Sequence, residues 1–155
     1  MSRNTILLRV QGDLEHPEEL ISAVGMPAET TSRGSRDRVE KLPKADVILF
    51  RLASWTGVSV EDQDKAEREQ LLPIAARLQQ AAPVLAALDR SRCTAELYVS
   101  SIRREEQGGL EFPAELIAAA AAGGLRLGIS ILVLLDDGPE EVSNTRSMTS
   151  STPST

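Results

Sequence analysis

Residues 109–137 read GLEFPAELIAAAAAGGLRLGISILVLLDD, and this stretch decides the fold class. From Leu125 to Leu135 an apolar residue stands at every second position, which is the period of a β-strand with one buried face. Leu132 and Leu134 interrupt the polar side of this pattern. We therefore expect the second half of the strand to be covered on both faces, as a central strand is.

The residues before this strand predict a helix. Pro113 is suited to a helix start, Ala114–Ala122 continues it, and Gly123-Gly124 provides the stop. The alanine-rich flank needs a closely approaching neighbour, most simply the sheet. Leu110 and Phe112 predict a short strand ahead of the helix.

Earlier segments repeat this alternation of strands and helices. Strand patterns cover Thr5–Gln11, Ala45–Ser54 and Cys93–Arg103, and helix patterns cover Pro17–Val24, with a stop at Gly25, and Val60–Arg90. Because an interior proline interrupts helical hydrogen bonding, we expect the long helix to break near Gln70–Pro73 or Ala81–Pro83.

Together these elements predict an α+β fold with a mainly antiparallel sheet of four to five strands and the helices packed on one face. The element order allows a ferredoxin-like arrangement. We expect one domain over residues 1–137. Residues 138–155 are rich in Ser and Thr, and we expect a disordered tail that contributes nothing to folding.

The polar segment Ala28–Lys44 leaves two interpretations open. It could be a mobile surface loop or a polar hairpin around Gly34. Alternatively, Arg33, Arg36 and Arg38 could face a ligand or a partner.

Composition narrows the classes of function. The 155 residues carry a formal net charge of −6 and only 3% aromatic side chains, which disfavours binding to nucleic acid. A basic protein partner is electrostatically easier. The apolar runs are too short to span a bilayer, there is no secretory signal, and the single cysteine fits a reducing cytosol, so we expect a cytoplasmic protein without a membrane partner.

The sequence contains no recognisable catalytic, metal or cofactor motif. His16 is the only histidine and stands at a predicted helix start, where an N-cap or exposed position is expected. Cys93 falls in phase with the core residues of its strand, so we expect a buried, unreactive thiol. We therefore predict that the protein is not an enzyme and holds neither metal nor cofactor.

Two acidic stretches and one aromatic residue are candidate binding features. The first stretch contains Glu15, Glu18 and Glu19; the second is Glu61–Glu69, whose simpler interpretation is a solvated helix face. Trp55 lies in a predicted turn, Trp55-Thr56-Gly57, where it could cap the edge of the core or form a binding hot spot.

The order of these segments resembles the bacterial family called domain of unknown function 4279. The resemblance rests on the helix segment HPEELISAVGMPAE, the loop TTSRG that contains Arg33-Gly34, and the closing segment Leu110–Ile131. The family tends to have a tryptophan at the start of the middle strand. In this chain that stretch is Val47–Leu52, and Trp55 lies beyond it. The resemblance implies an association with toxin loci, where small acidic domains look like immunity proteins.

Two functions are therefore expected as alternatives. In the first, the chain binds and neutralises a basic toxin domain through its carboxylates. In the second, it is a regulatory domain that binds a small anionic ligand through the Arg33–Arg38 loop.

Overall fold

The structure is a computed structural model that describes residues 2–32, 46–57, 59–104 and 109–134. In chain order the elements are β1 (Ser2–Gly12), α1 (Pro17–Val24), β2 (Thr30–Ser32), β3 (Asp46–Gly57), α2 (Val60–Ala66), a π-helical segment (Glu67–Leu71), α3 (Leu72–Ala86), β4 (Cys93–Arg103), α4 (Ala114–Ala122) and β5 (Arg126–Val133). This confirms the α+β class. The Arg33–Arg38 loop and the predicted tail, residues 138–155, lie outside the described residues.

The sheet is mixed: three antiparallel pairings agree with the expectation of a mainly antiparallel sheet, and one parallel pairing departs from it. Four long strands and the three-residue β2 lie in the order β2-β3-β1-β4-β5. The pairings β2–β3, β3–β1 and β1–β4 are antiparallel, whereas β4 and β5 are parallel. The reason is α4, because a helical crossover returns the chain to the same end of the sheet and so makes the next strand parallel.

The ferredoxin-like arrangement is also corrected. In that motif a crossover helix joins two strands that another strand separates, hence the description as a split βαβ unit. The helical region from α2 to α3 joins β3 and β4, which β1 separates, but α4 joins β4 and β5, which are direct neighbours with Val99 beside Ile129 in the register. The unit β4-α4-β5 is therefore an unsplit βαβ.

All core packing takes place on one face of the sheet, as predicted. Along β1, Ile6, Leu8 and Val10 are fully buried, while Arg9 and Gln11 between and beyond them are exposed. The helices cover the buried face, and α3 contributes a stripe of buried residues at helical spacing: Ile74, Ala75, Leu78, Ala81, Ala82 and Leu85.

The strand β5 differs most from its prediction. Among the described strands it lies at the edge of the sheet with β4 as its one neighbour, and Leu127, Ile129 and Ile131 on its helix side are 56%, 54% and 59% exposed. The expectation of a central strand covered on both faces is therefore wrong. The physical reason is the direction of α4, which packs chiefly against α3 and leaves β5 largely uncovered.

The long helical region continues through both of its prolines, Pro73 and Pro83. A π-helical segment, Glu67–Leu71, directly precedes Pro73, which lies in the first turn of α3 where its missing N–H is tolerated. The predicted break near Gln70–Pro73 is thus a change of helix type. Pro83 lies inside α3 without ending it, so no break occurs at the second predicted position.

Several boundaries also moved. β3 continues through Trp55 to Gly57, so the predicted turn there is wrong, and the described residues from Leu110 to Phe112 form no strand. The boundaries of α1 were predicted well: Pro17 is its first residue, and Gly25 ends it in the left-handed conformation at φ 74°.

Candidate functional site

A cleft of about 470 Å³ opens at the end of the sheet where β1 ends and β4 begins. Its walls are the turn between β1 and α1, the start of α1, the end of α3 and the turn that leads into β4. The residues that line it are Asp13, Leu14, Glu15, His16, Pro17, Glu19, Leu20, Pro83, Val84, Ala87, Leu88, Asp89, Arg92 and Cys93.

Gly12 brings the two turns of the cleft together. It has a φ of 141°, which side chains rarely tolerate, and a Cβ built there would lie 2.5 Å from the Cα of Cys93. The next residue, Asp13, donates its backbone N–H to the carbonyl of Arg92 at 3.1 Å. The close approach of β1 and β4 at this point therefore depends on the absence of a side chain.

Arg92 links two of the carboxylates on the rim. Its guanidinium donates to a carboxylate oxygen of Asp13 and, at 2.8 Å, to Oε1 of Glu15. These hydrogen bonds, chiefly the one to Asp13, raise the pKa of Arg92. All three side chains are between 43% and 65% exposed, so the ion pairs add little to stability and mainly fix the positions of the charges.

Asp89 supplies a third fixed carboxylate at the end of α3. Ser91 donates to its Oδ1 twice, from the side-chain hydroxyl at 2.6 Å and from the backbone N–H at 2.9 Å. These bonds lower the pKa of Asp89 below its ordinary value of 3.8. Because this pKa lies far below 7, Asp89 is charged at neutral pH. The stabilising effect of the two bonds is present above the ordinary pKa and is lost as the pH falls through the lowered pKa.

The floor of the cleft is apolar. Leu14 and Leu20 are 5% and 2% exposed, and Val84 and Leu88 pack against the same core. Cys93 is buried as predicted, and its thiol donates to the backbone carbonyl of Asp89 at 3.3 Å. A thiol held in this way contributes to the turn and to the floor.

The structure places two of the three glutamates of the first acidic stretch at the cleft. Glu15 and Glu19 line the cleft, whereas Glu18, in the same helical turn, is exposed but lies outside the lining. His16 holds the N-cap position of α1 without a side-chain capping bond, and it lines the cleft as well. Trp55 is only 8% exposed and belongs to the core, so it offers no surface for a hot spot.

The remaining predicted binding residues fall elsewhere. Arg33, Arg36 and Arg38 lie outside the described residues, so the anion-binding alternative stays a prediction. The second acidic stretch, Glu61–Glu69, lies within α2 and the π-helical segment. Its charged side chains are exposed or partly exposed.

Three charged residues of the cleft were missed by sequence reasoning. Asp13 and Arg92 are 79 positions apart, and only the β1–β4 pairing brings them together. A local signal did exist for Asp89, because an aspartate two residues before a serine is typical of a turn closed by the aspartate side chain.

Comparisons of the chain with protein-family models, with curated proteins and with solved structures found no match. The resemblance to domain of unknown function 4279 therefore stays a prediction. Over the described part of the chain, no three His, Cys, Asp or Glu side chains are grouped so that they could hold a metal ion. In the same residues, no helix is both long and apolar enough to cross a membrane.

Proposed function

We propose that this chain is a protein-binding domain whose cleft receives a lysine or arginine side chain of a basic partner. The observation that carries the proposal is the combination of an acidic rim with an apolar floor in one cleft. Neither half alone would indicate this ligand, because acidic surfaces and shallow apolar hollows are both common on proteins.

The charge of the rim supports a cationic guest. Among the described residues that line the cleft, Asp13, Glu15, Glu19 and Asp89 contribute four carboxylates and Arg92 one guanidinium, which leaves a net charge of −3 with His16 neutral. Since Arg92 already pairs with Asp13 and Glu15, the carboxylates of Glu19 and Asp89 are best placed to meet a new cation. A complementary field of this kind speeds association and selects against acidic partners.

The floor supports a long aliphatic stem beneath the charge. Lysine and arginine bury their methylene groups along apolar surfaces while their charged ends stay near water. Leu14, Leu20, Val84 and Leu88 offer such a surface next to the carboxylates. A small inorganic cation would gain nothing from this floor, so the cleft favours a protein side chain.

Neutralisation of a toxin is the biological role that we attach to this binding. The net charge of −6 and the resemblance described above support it, since a basic active site is a natural target for an acidic surface. A toxin gene beside the gene for this chain would support the role further, and co-expression that fails to protect a host from that toxin would remove it.

Where a toxin gene lies beside the gene for this chain, we expect Glu19→Lys to weaken binding of that toxin at least about tenfold, or about 1.4 kcal/mol. The substitution reverses one charge at the cleft, so the effect should shrink at high salt, where charges are screened. Isothermal titration calorimetry at two salt concentrations measures both quantities.

Glu69→Lys is the matched control, because it makes the same change at an exposed glutamate of the second acidic stretch. We expect it to leave affinity within about twofold. Equal losses in the two variants would show a general charge effect and would contradict a role for the cleft, as would undiminished binding by Glu19→Lys.

A further inference from the structure

The open edge of the sheet is the largest feature that the cleft does not explain. On the helix side of β5, Leu127, Ile129 and Ile131 are each more than half exposed, and Ile117 of α4 beside them is 59% exposed. An apolar hollow of about 200 Å³ between β4, β5 and α4 continues this surface inward. Exposed apolar surface of this extent, next to the edge strand of the described sheet, is typical of an interface.

We propose that a second copy of this chain pairs with β5 in antiparallel orientation, so that two sheets join into one continuous sheet across a two-fold axis. The proposal is independent of the function proposed above, because the cleft and this edge share no residue.

The strand at this edge, β5, lacks the usual protection of a free strand. Over its described residues β5 has eight residues with no proline and no lysine, and its register against β4 runs without a bulge. Proteins usually protect a free edge with one of these devices or with a short strand. At the opposite edge, the three-residue β2 pairs with residues 47–49 of β3. Pairing of β5 with itself across a two-fold axis uses this edge in both copies, so this contact closes as a dimer.

The sequence of β5 is also compatible with pairing to itself. A two-fold axis at Ser130 places Leu127 opposite Val133 and Ile129 opposite Ile131 of the second copy, so that one face is apolar throughout. Pairing in an even register keeps the helix sides of both copies on the same side of the joined sheet.

Charge agrees with this register. Arg126 is the only charged residue of β5, and the pairing places it opposite Leu134 of the second copy. The two Arg126 residues are then separated by eight positions along the strand, or about 27 Å, so they do not repel each other.

Analytical ultracentrifugation of the full chain tests the proposal. We expect a species of twice 16.7 kDa at micromolar concentration, and no larger one. Ile131→Lys should shift the protein to the monomer, because it places a charge in the apolar pairing face. Val60→Lys is the matched control at a residue that is 76% exposed, and it should remain dimeric. Circular dichroism establishes that both variants are folded.

Ser130→Cys tests the register without a change in size. Two copies related by an axis at Ser130 should form an intermolecular disulfide under mild oxidation, while the wild type, whose Cys93 is buried, should not. Three results would overturn the proposal: a wild-type protein that is still monomeric at about 100 micromolar, an undiminished dimer in Ile131→Lys, or species larger than a dimer. So would a Ser130→Cys dimer that fails to cross-link.

Discussion

Gly12→Ala is expected to destabilise the fold by about 2–6 kcal/mol, a large part of the 5–15 kcal/mol typical of a domain. Gly12 has a φ of 141°, which strains any residue with a side chain. The added methyl would also lie 2.5 Å from the Cα of Cys93 and 2.6 Å from its Cβ. Because part of what it meets is backbone, the ends of β1 and β4 would have to separate.

Equilibrium unfolding in urea, followed by circular dichroism, measures this loss. The matched control is Gly109→Ala, since a Cβ added at Gly109 meets nothing within 4 Å. We expect the control to stay within about 0.5 kcal/mol of the wild type. If the two variants unfold at the same urea concentration, β1 and β4 do not approach each other at Gly12 as described.

Phe50→Ala should cost about 3–5 kcal/mol, the range usual for removing a large aromatic side chain from a core. Phe50 is fully buried in the middle of β3 and is the largest side chain with that burial among the described residues. Its removal leaves a cavity under the helices that a packed core refills only in part.

The same urea measurement, with Val60→Ala as control, checks this expectation. Val60 is 76% exposed, so its truncation should change the free energy of unfolding by less than about 0.5 kcal/mol. A loss below about 1 kcal/mol for Phe50→Ala would mean that β3 does not carry the centre of the core.

The sequence predicted strands and helices well because their signals are local. The alternation in β1 and the residues Pro17 and Gly25 at the ends of α1 report backbone geometry directly. The environment of β5 was not predictable in this way. A period of two shows that Leu127, Ile129 and Ile131 share a face, but it does not show what covers that face.

Only those residues of the cleft that lie close together in sequence could be predicted. Glu15 and Glu19 could be found because they stand in the first helical turn and just before it, next to the proline that starts the helix. Arg92 could not, since its position beside Asp13 follows from the register of two strands that are distant in sequence. Long-range pairing therefore decides the part of the site that sequence patterns leave open.

The parallel placement of β5 beside β4 is the central structural claim, because it puts β5 at the edge of the sheet and so creates the open edge. Ile102 and Leu132 are partners in that register. Neighbouring strands lie about 4.8 Å apart, within the Cα separations that a disulfide can span.

The most direct measurement is the disulfide yield of Ile102→Cys/Leu132→Cys within one chain, read by mass spectrometry of peptides. The control, Ser100→Cys/Leu132→Cys, is offset by two residues in the register and so exceeds the span of a disulfide. We predict efficient cross-linking in the first variant and little in the control. The reverse result, or equal yields in both, would contradict the parallel register.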